Sequence, residues 1–203
     1  MLPRLYPILD IDLCRARRLE PLAVLAAFLA GGARFLQLRD KTPSTAERLA
    51  RAEAAVALAH AAGARLIVND RADIVRMSGA DGVHVGQDDL SVDEARRIVG
   101  PDAIVGLSTH DEAQIDAAAR TSATYIAVGP IYGTATKDTG YPARGLDLVR
   151  RAALTRRPVV AIGGITLERA PEVLAAGAAS VAVISDLLIG EPEARVRRFL
   201  AAL

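Results

Sequence analysis

The chain has 203 residues, 51% of them hydrophobic and 24% charged, so it is neither fibrous nor disordered and is long enough to bury one substantial core. Twenty-five Lys and Arg balance twenty-four Asp and Glu at a net charge of +1, and aromatic residues are 3% with no Trp. That composition excludes a global field for polyanions and a stacking surface for single-stranded nucleic acid, so no nucleic-acid partner is expected.

The single cysteine, Cys14, excludes an intrachain disulfide framework; it lies in the polar stretch 12–18 and reads as a spectator thiol. The N-terminal stretch lacks a basic region followed by a long apolar one, and no apolar run reaches membrane-span length. A soluble cytoplasmic protein without a membrane partner is the expectation.

Short β-branched or aliphatic runs alternate along the chain with longer Ala-rich stretches of helical period. A strand over 5–9 precedes a helix over 19–30, and a strand over 35–39 precedes a helix over 44–62. A strand over 66–68, a short helix near 72–77, a strand over 82–85 and a helix over 92–99 follow. The second half repeats the order, with strands over 104–107, 125–128, 159–162 and 181–184 and helices over 112–121, 147–155, 168–176 and 192–202. Ser44 with Glu47, and Ser91 with Glu94, have capping-box spacing at helix starts, while Gly31-Gly32, Gly63, Gly100 and Gly177 stand where left-handed caps end helices. Eight strand–helix units close most naturally into an α/β fold of the (β/α)8 TIM-barrel type, one compact domain over 1–203. An open doubly wound sheet is the alternative, but no Gly-x-Gly-x-x-Gly follows the first strand.

A barrel gathers the carboxyl ends of its strands at one mouth, so those ends are read together. Gln37, Arg39 and Lys41 share one face of the second strand by its period of two. Two cations on an inward face suit an anion such as phosphate; ordinary ion pairs with neighbouring carboxylates are the alternative. Asn69-Asp70 ends the third strand and His84-Val85-Gly86-Gln87-Asp88-Asp89 the fourth. Asp70 and Asp89 then stand side by side as oxygen ligands for Mg2+, which takes one or two carboxylates and fills its shell with water and phosphate. A helix cap at Asp70 and a plain loop at Asp88 and Asp89 are the alternatives. His84, in an apolar strand, reads as a satisfied core residue, and His60 in a helix as structural, whereas His110, in Ser108-Thr109-His110, is placed to act on a substrate.

The sixth strand leads into Gly129-Pro130-Ile131 and a polar loop in which Thr134 and Thr136 stand beside Lys137, offering hydrogen bonds and charge to an anion. Gly163-Gly164 after the seventh strand and Ile184-Ser185 after the eighth occupy the usual phosphate position of such barrels, although tight-turn glycines alone would look the same. Two anion sites, one metal-assisted and one simple, point to two phosphorylated small substrates joined at the centre.

The ordered set Gln37-Leu38-Arg39-Asp40-Lys41, Val68-Asn69-Asp70, Gly82-Val83-His84-Val85-Gly86-Gln87-Asp88-Asp89-Leu90, Gly129-Pro130-Ile131, Thr134-Ala135-Thr136-Lys137, Ala161-Ile162-Gly163-Gly164-Ile165 and Val183-Ile184-Ser185 resembles the thiamine-phosphate synthase family over nearly the whole chain. The resemblance implies that Gln37, Arg39, Lys41, Asn69 and Ser108 hold a pyrimidine diphosphate and that Asp70 and Asp89 bind Mg2+. It further implies that Thr134, Thr136 and Lys137 lie between the substrates, that Lys137 reaches the diphosphate, and that Gly164, Ile184 and Ser185 bind a thiazole phosphate. Arg39, Lys41, Ser108 and Lys137 are the expected catalytic groups for a dissociative displacement of diphosphate. Gly133 departs from the family, which often has Pro there. The related thiazole tautomerase and a non-catalytic barrel that binds phosphorylated metabolites are the alternatives. The Ala-rich, nearly neutral exterior permits a homo-oligomer.

Overall fold

Eight parallel strands pair in chain order and close on themselves, β1 (Leu5–Asp10), β2 (Phe35–Arg39), β3 (Arg65–Asn69), β4 (Gly82–Val85), β5 (Ile104–Thr109), β6 (Tyr125–Val128), β7 (Val159–Ile162) and β8 (Ser180–Val183). The architecture is that of a (β/α)8 barrel, seen in a computed structural model that describes residues 2–42, 44–134 and 140–203.

The strands are apolar on both faces because both are covered. Outward residues such as Leu9, Leu36, Leu38, Val83 and Val128 join the helices in the larger cluster, while Tyr6, Ile8, Phe35, Ile67, Tyr125 and Val160 fill the interior. Each strand thus reads as a short continuous run, which is why all eight were visible in the sequence.

Around them lie α1 (Ile11–Ala16), α2 (Pro21–Ala30), α3 (Thr45–Ala61), α4 (Ala72–Ser78), α5 (Val92–Val99), α6 (Glu112–Ala119), α7 (Gly145–Ala153), α8 (Ala170–Ala175) and α9 (Pro192–Ala202), with a short 3-10 helix at Ser185–Leu188. Ser91 and Glu94 form the expected reciprocal capping box, and Ser44 accepts from the Glu47 N–H at 3.3 Å. Gly31 has right-handed geometry at φ −67, and the positive φ falls one residue later on Gly32.

The structure corrects the polar reading of 12–18: α1 forms there, capped by Asp10 accepting from the Leu13 N–H at 2.9 Å. Its inward positions, Ile11 and Cys14, are buried, so Cys14 is a core residue. Burial, with the nearby charges of Asp10 and Glu20, pushes its thiol up to about 11, so it is protonated and inert at neutral pH. Strand β5 also runs two residues further than expected, to Thr109, which makes Ser108 part of the barrel wall. No helix among the described residues is long and apolar enough to cross a membrane.

Candidate active site

Over β1 to β4 the mouth is lined by paired charges. Register sets Asp10 opposite Arg39, and Arg39 Nη1 lies 2.5 Å from Asp10 Oδ2. Lys41, just past the end of β2, is ion-paired with Asp70. Both expected cations therefore hold carboxylates from adjacent strand ends. Arg39 gives one of its five N–H groups to Asp10, and the Lys41 ammonium has three donors, so each retains capacity for a further anion.

Asp70 does not cap the following helix: the N-cap of α4 is Arg71, without a side-chain hydrogen bond. Its φ is +63, left-handed geometry that a non-glycine residue adopts at a cost, and its N–H donates to the His84 carbonyl at 2.7 Å. Asp89 reaches back from the β4 loop and accepts from the Gly86 N–H at 2.7 Å. Its carboxyl is raised above the ordinary range, first by desolvation and then by hydrogen-bond contact and repulsion with Asp70; Gly86 and Lys41 oppose the shift. Two carboxylates crowding one spot form the donor set that a hard divalent cation relieves. Among the described residues no group of three or more His, Cys, Asp or Glu could hold a metal, so a fully protein-built cage is absent there. Mg2+ fits this arrangement, because it completes its shell from water and substrate phosphate.

On the other side, over β5 to β8, opens a cavity of about 590 Å³. Its wall includes Ser108, Thr134, Gly164, Ile184 and Ser185, so five of the residues expected to touch substrate are brought together. Gln37, in the middle of β2, is buried in the barrel, and Asn69 ends β3 next to the rim of charges. Thr136 and Lys137 lie outside the described residues.

Gly164 has φ +62, and a Cβ there would stand 2.5 Å from the Gly133 carbonyl oxygen. Close approach of a phosphate and a tight turn are both reasons for glycine here; the structure adds that the β6 and β7 loops pack too tightly for any side chain. Hydrogen bonds from Ile131 N to Ile162 O, 2.9 Å, and Tyr132 N to Gly163 O, 3.0 Å, hold those loops together.

Two arginines in the cavity wall, Arg17 and Arg169, lie outside the expected site residues, and His110, placed by the sequence to act on a substrate, lines the same wall. Arg169 lies 4.5 Å over the Tyr132 ring and donates to the Gly164 carbonyl at 2.9 Å, while Tyr132 donates to Glu172 at 2.5 Å. Burial and then Glu172 push the Tyr132 hydroxyl up to about 12. Arg17 donates to the Leu188 carbonyl at 2.9 Å beside the 3-10 helix. Arg17 caps the end of α1, the segment after β1, and Arg169 caps the start of α8, the helix after β7, so the strand-end rule reaches them only when α1 and the start of α8 are read as mouth. His110 donates from Nδ1 to the Gly129 carbonyl at 2.6 Å and stacks on Tyr141 with centroids 4.4 Å apart.

A closed parallel barrel whose polar side chains gather at the carboxyl ends of its strands is the architecture of a barrel enzyme acting on small molecules. The family profile described as "Thiamine monophosphate synthase" matches residues 5–187. The chain is 46% identical to a thiamine-phosphate synthase of Koribacter versatilis over 100% of its own length and 96% of the relative's. It is 52% identical to one of Mycobacterium avium over 78% of this chain and 75% of that one. A solved thiamine phosphate pyrophosphorylase from Pyrococcus furiosus superposes with a TM-score of 0.87 at 30% identity, covering 98% of this chain and 94% of that one. The chain belongs to the thiamine-phosphate synthase family, and it is a transferase of thiamine biosynthesis.

Proposed function

We propose that the protein joins 4-amino-2-methyl-5-hydroxymethylpyrimidine diphosphate to 4-methyl-5-(2-phosphooxyethyl)thiazole, giving thiamine phosphate and diphosphate. The observation that carries this reading is the division of the mouth into two unlike anion sites: a rim of cations and carboxylates over β2 to β4, and a cavity edged by Gly164 and Ser185 over β7 and β8. A single phosphorylated substrate would need only one of them.

Arg39 and Lys41 receive the diphosphate, with Lys137 adding a further positive charge, while Gln37, Asn69 and Ser108 hold the pyrimidine. Asp70 and Asp89 would hold Mg2+, which when bound neutralises charge on the diphosphate oxygens. As the carbon–oxygen bond breaks, diphosphate takes the electron pair and leaves a pyrimidinylmethyl cation that the aminopyrimidine ring stabilises by resonance. Charge on the leaving group grows along that coordinate, so Arg39, Lys41 and Lys137 stabilise the transition state more than the ground state. Thiazole phosphate, held by Gly164, Ile184 and Ser185 with Thr134 and Thr136 between the substrates, presents its ring nitrogen to the cation. The new carbon–nitrogen bond forms without a general base, because that nitrogen carries no proton to remove.

Asp89→Asn keeps the loop hydrogen bond in reach while removing a charge. Its turnover should fall about 10–100-fold, with a higher Mg2+ concentration needed for half-maximal rate. Turnover equal to that of the parent protein across a Mg2+ titration would remove the metal role from this pair.

A further inference from the structure

The barrel interior contains a hydrogen-bonded chain whose middle members, Tyr6, Tyr125 and His84, the mechanism above does not use. Gln37 Nε2 donates to the Tyr6 hydroxyl at 3.0 Å, Tyr6 and Tyr125 hydroxyls lie 2.9 Å apart, Tyr125 Oη is 3.0 Å from His84 Nδ1, and His84 Nε2 is 2.9 Å from Ser108 Oγ. The first four members come from β2, β1, β6 and β4 and are all buried; Ser108, on β5, is half-buried and lines the cavity. Gly106 makes the chain possible, since a Cβ there would stand 2.2 Å from the Tyr125 ring and 2.6 Å from His84 Nδ1.

One order of the protons along this chain gives every buried hydroxyl proton an acceptor. In that order the Gln37 N–H donates to Tyr6, and Tyr6 directs its one proton to Tyr125 rather than leaving it without an acceptor. Tyr125 then directs its proton to His84 Nδ1, which accepts with its lone pair. A neutral imidazole with bare Nδ1 carries its proton on Nε2, and that N–H donates to Ser108 Oγ. Among the described residues Ser108 Oγ has no other hydrogen-bond partner, so its own proton is directed into the cavity.

We propose that His84 is a positioning residue: held as its Nε2–H tautomer by the buried Tyr6–Tyr125 pair, it fixes the Ser108 hydroxyl as a donor to a ring nitrogen of the heteroaromatic substrate. This rests on the reading of Ser108 as a contact to the pyrimidine. A ring nitrogen is favoured over a diphosphate oxygen because the chain lies inside the barrel, among Phe35 and Ile67, whereas Arg39, Lys41, Asp70 and Asp89 stand at the rim. An orphaned hydroxyl rotor would have to choose among three staggered positions on each binding event; a fixed acceptor interaction removes that choice.

Two measurements test this. The first needs no substrate: in 15N-histidine-labelled protein, long-range proton–nitrogen correlation at neutral pH should show His84 with a protonated Nε2 and a bare Nδ1. A protonated Nδ1, or an imidazolium, overturns the proposal whatever the enzyme does. The second is steady-state turnover with Mg2+ and both substrates. His84→Leu should raise KM for the pyrimidine diphosphate about tenfold while leaving KM for the thiazole phosphate within twofold, and His84→Gln, whose amide N–H can still reach Ser108, should recover most of the loss. In the double variant His84→Leu with Ser108→Ala the cost should not exceed that of Ser108→Ala alone. Tyr125→Phe removes one hydroxyl at constant volume and should give an intermediate rise, which keeps the test available if the leucine variant does not fold. Additive losses, or equal rises in both KM values, contradict the proposal. Absence of thiamine phosphate from the parent protein instead contradicts the reading of its function, and the tautomer measurement stands apart from that outcome.

Discussion

Asp70 shows how a single residue joins several levels of cause. It follows the last residue of β3, adopts φ +63, binds Lys41 and crowds Asp89, and the last two are not properties of its own segment. The pattern Asn69-Asp70 marked the position as chemical, but its partners come from the ends of β2 and β4, which sequence order places far away. The same holds for Arg39 with Asp10: the cations were legible as an inward pair by their period of two, yet the carboxylates they meet follow from barrel register. Gly164 was legible as a phosphate-approach glycine or a tight turn. The structure makes it a packing residue as well, and this sets an expectation for Gly164→Ala. A methyl 2.5 Å from the Gly133 oxygen, on a residue at φ +62, should cost about 1–3 kcal/mol of stability in denaturant unfolding and raise KM for the thiazole phosphate more than for the pyrimidine diphosphate. An alanine variant of unchanged stability and KM would show that the loops have room to separate.

Among the elements, the strands were readable because a parallel barrel buries both faces and leaves uninterrupted apolar runs. Helix α1 was not, because a two-turn helix needs few buried positions: Ile11 and Cys14 face the core, while Asp12 and Arg15 make the segment look like a loop. The 3-10 helix after β8 was hidden for another reason, since its anchor is tertiary. Asp186, buried at its second position, accepts at Oδ2 from Arg195 Nη2 at 2.7 Å, Arg195 Nε at 3.1 Å and Leu167 N at 3.2 Å, tying the β7 loop and α9 to the edge of the cavity. Removing one side of a buried ion pair strands the other charge, so Asp186→Ala should lose roughly 3–5 kcal/mol in urea unfolding, and adding Arg195→Met should restore much of it. A single variant as stable as the parent chain would mean that the pair contributes nothing to holding that turn.

At the scale of the molecule, a chain of 203 residues forms eight strands and their helices with little left over, so its chemistry resides on strand ends and short loops. Net charge +1 and a charged mouth are compatible because its cations and carboxylates sit within ion-pair distance of each other. The central claim is that this mouth brings two phosphorylated compounds together and joins them. It is tested most directly by following the phosphorus resonances of pyrimidine diphosphate and thiazole phosphate mixed with the protein and Mg2+. The account predicts that thiamine phosphate and inorganic diphosphate appear in equal amounts and that both depend on the thiazole phosphate. Failure to consume either compound, or release of diphosphate without thiamine phosphate, would contradict it.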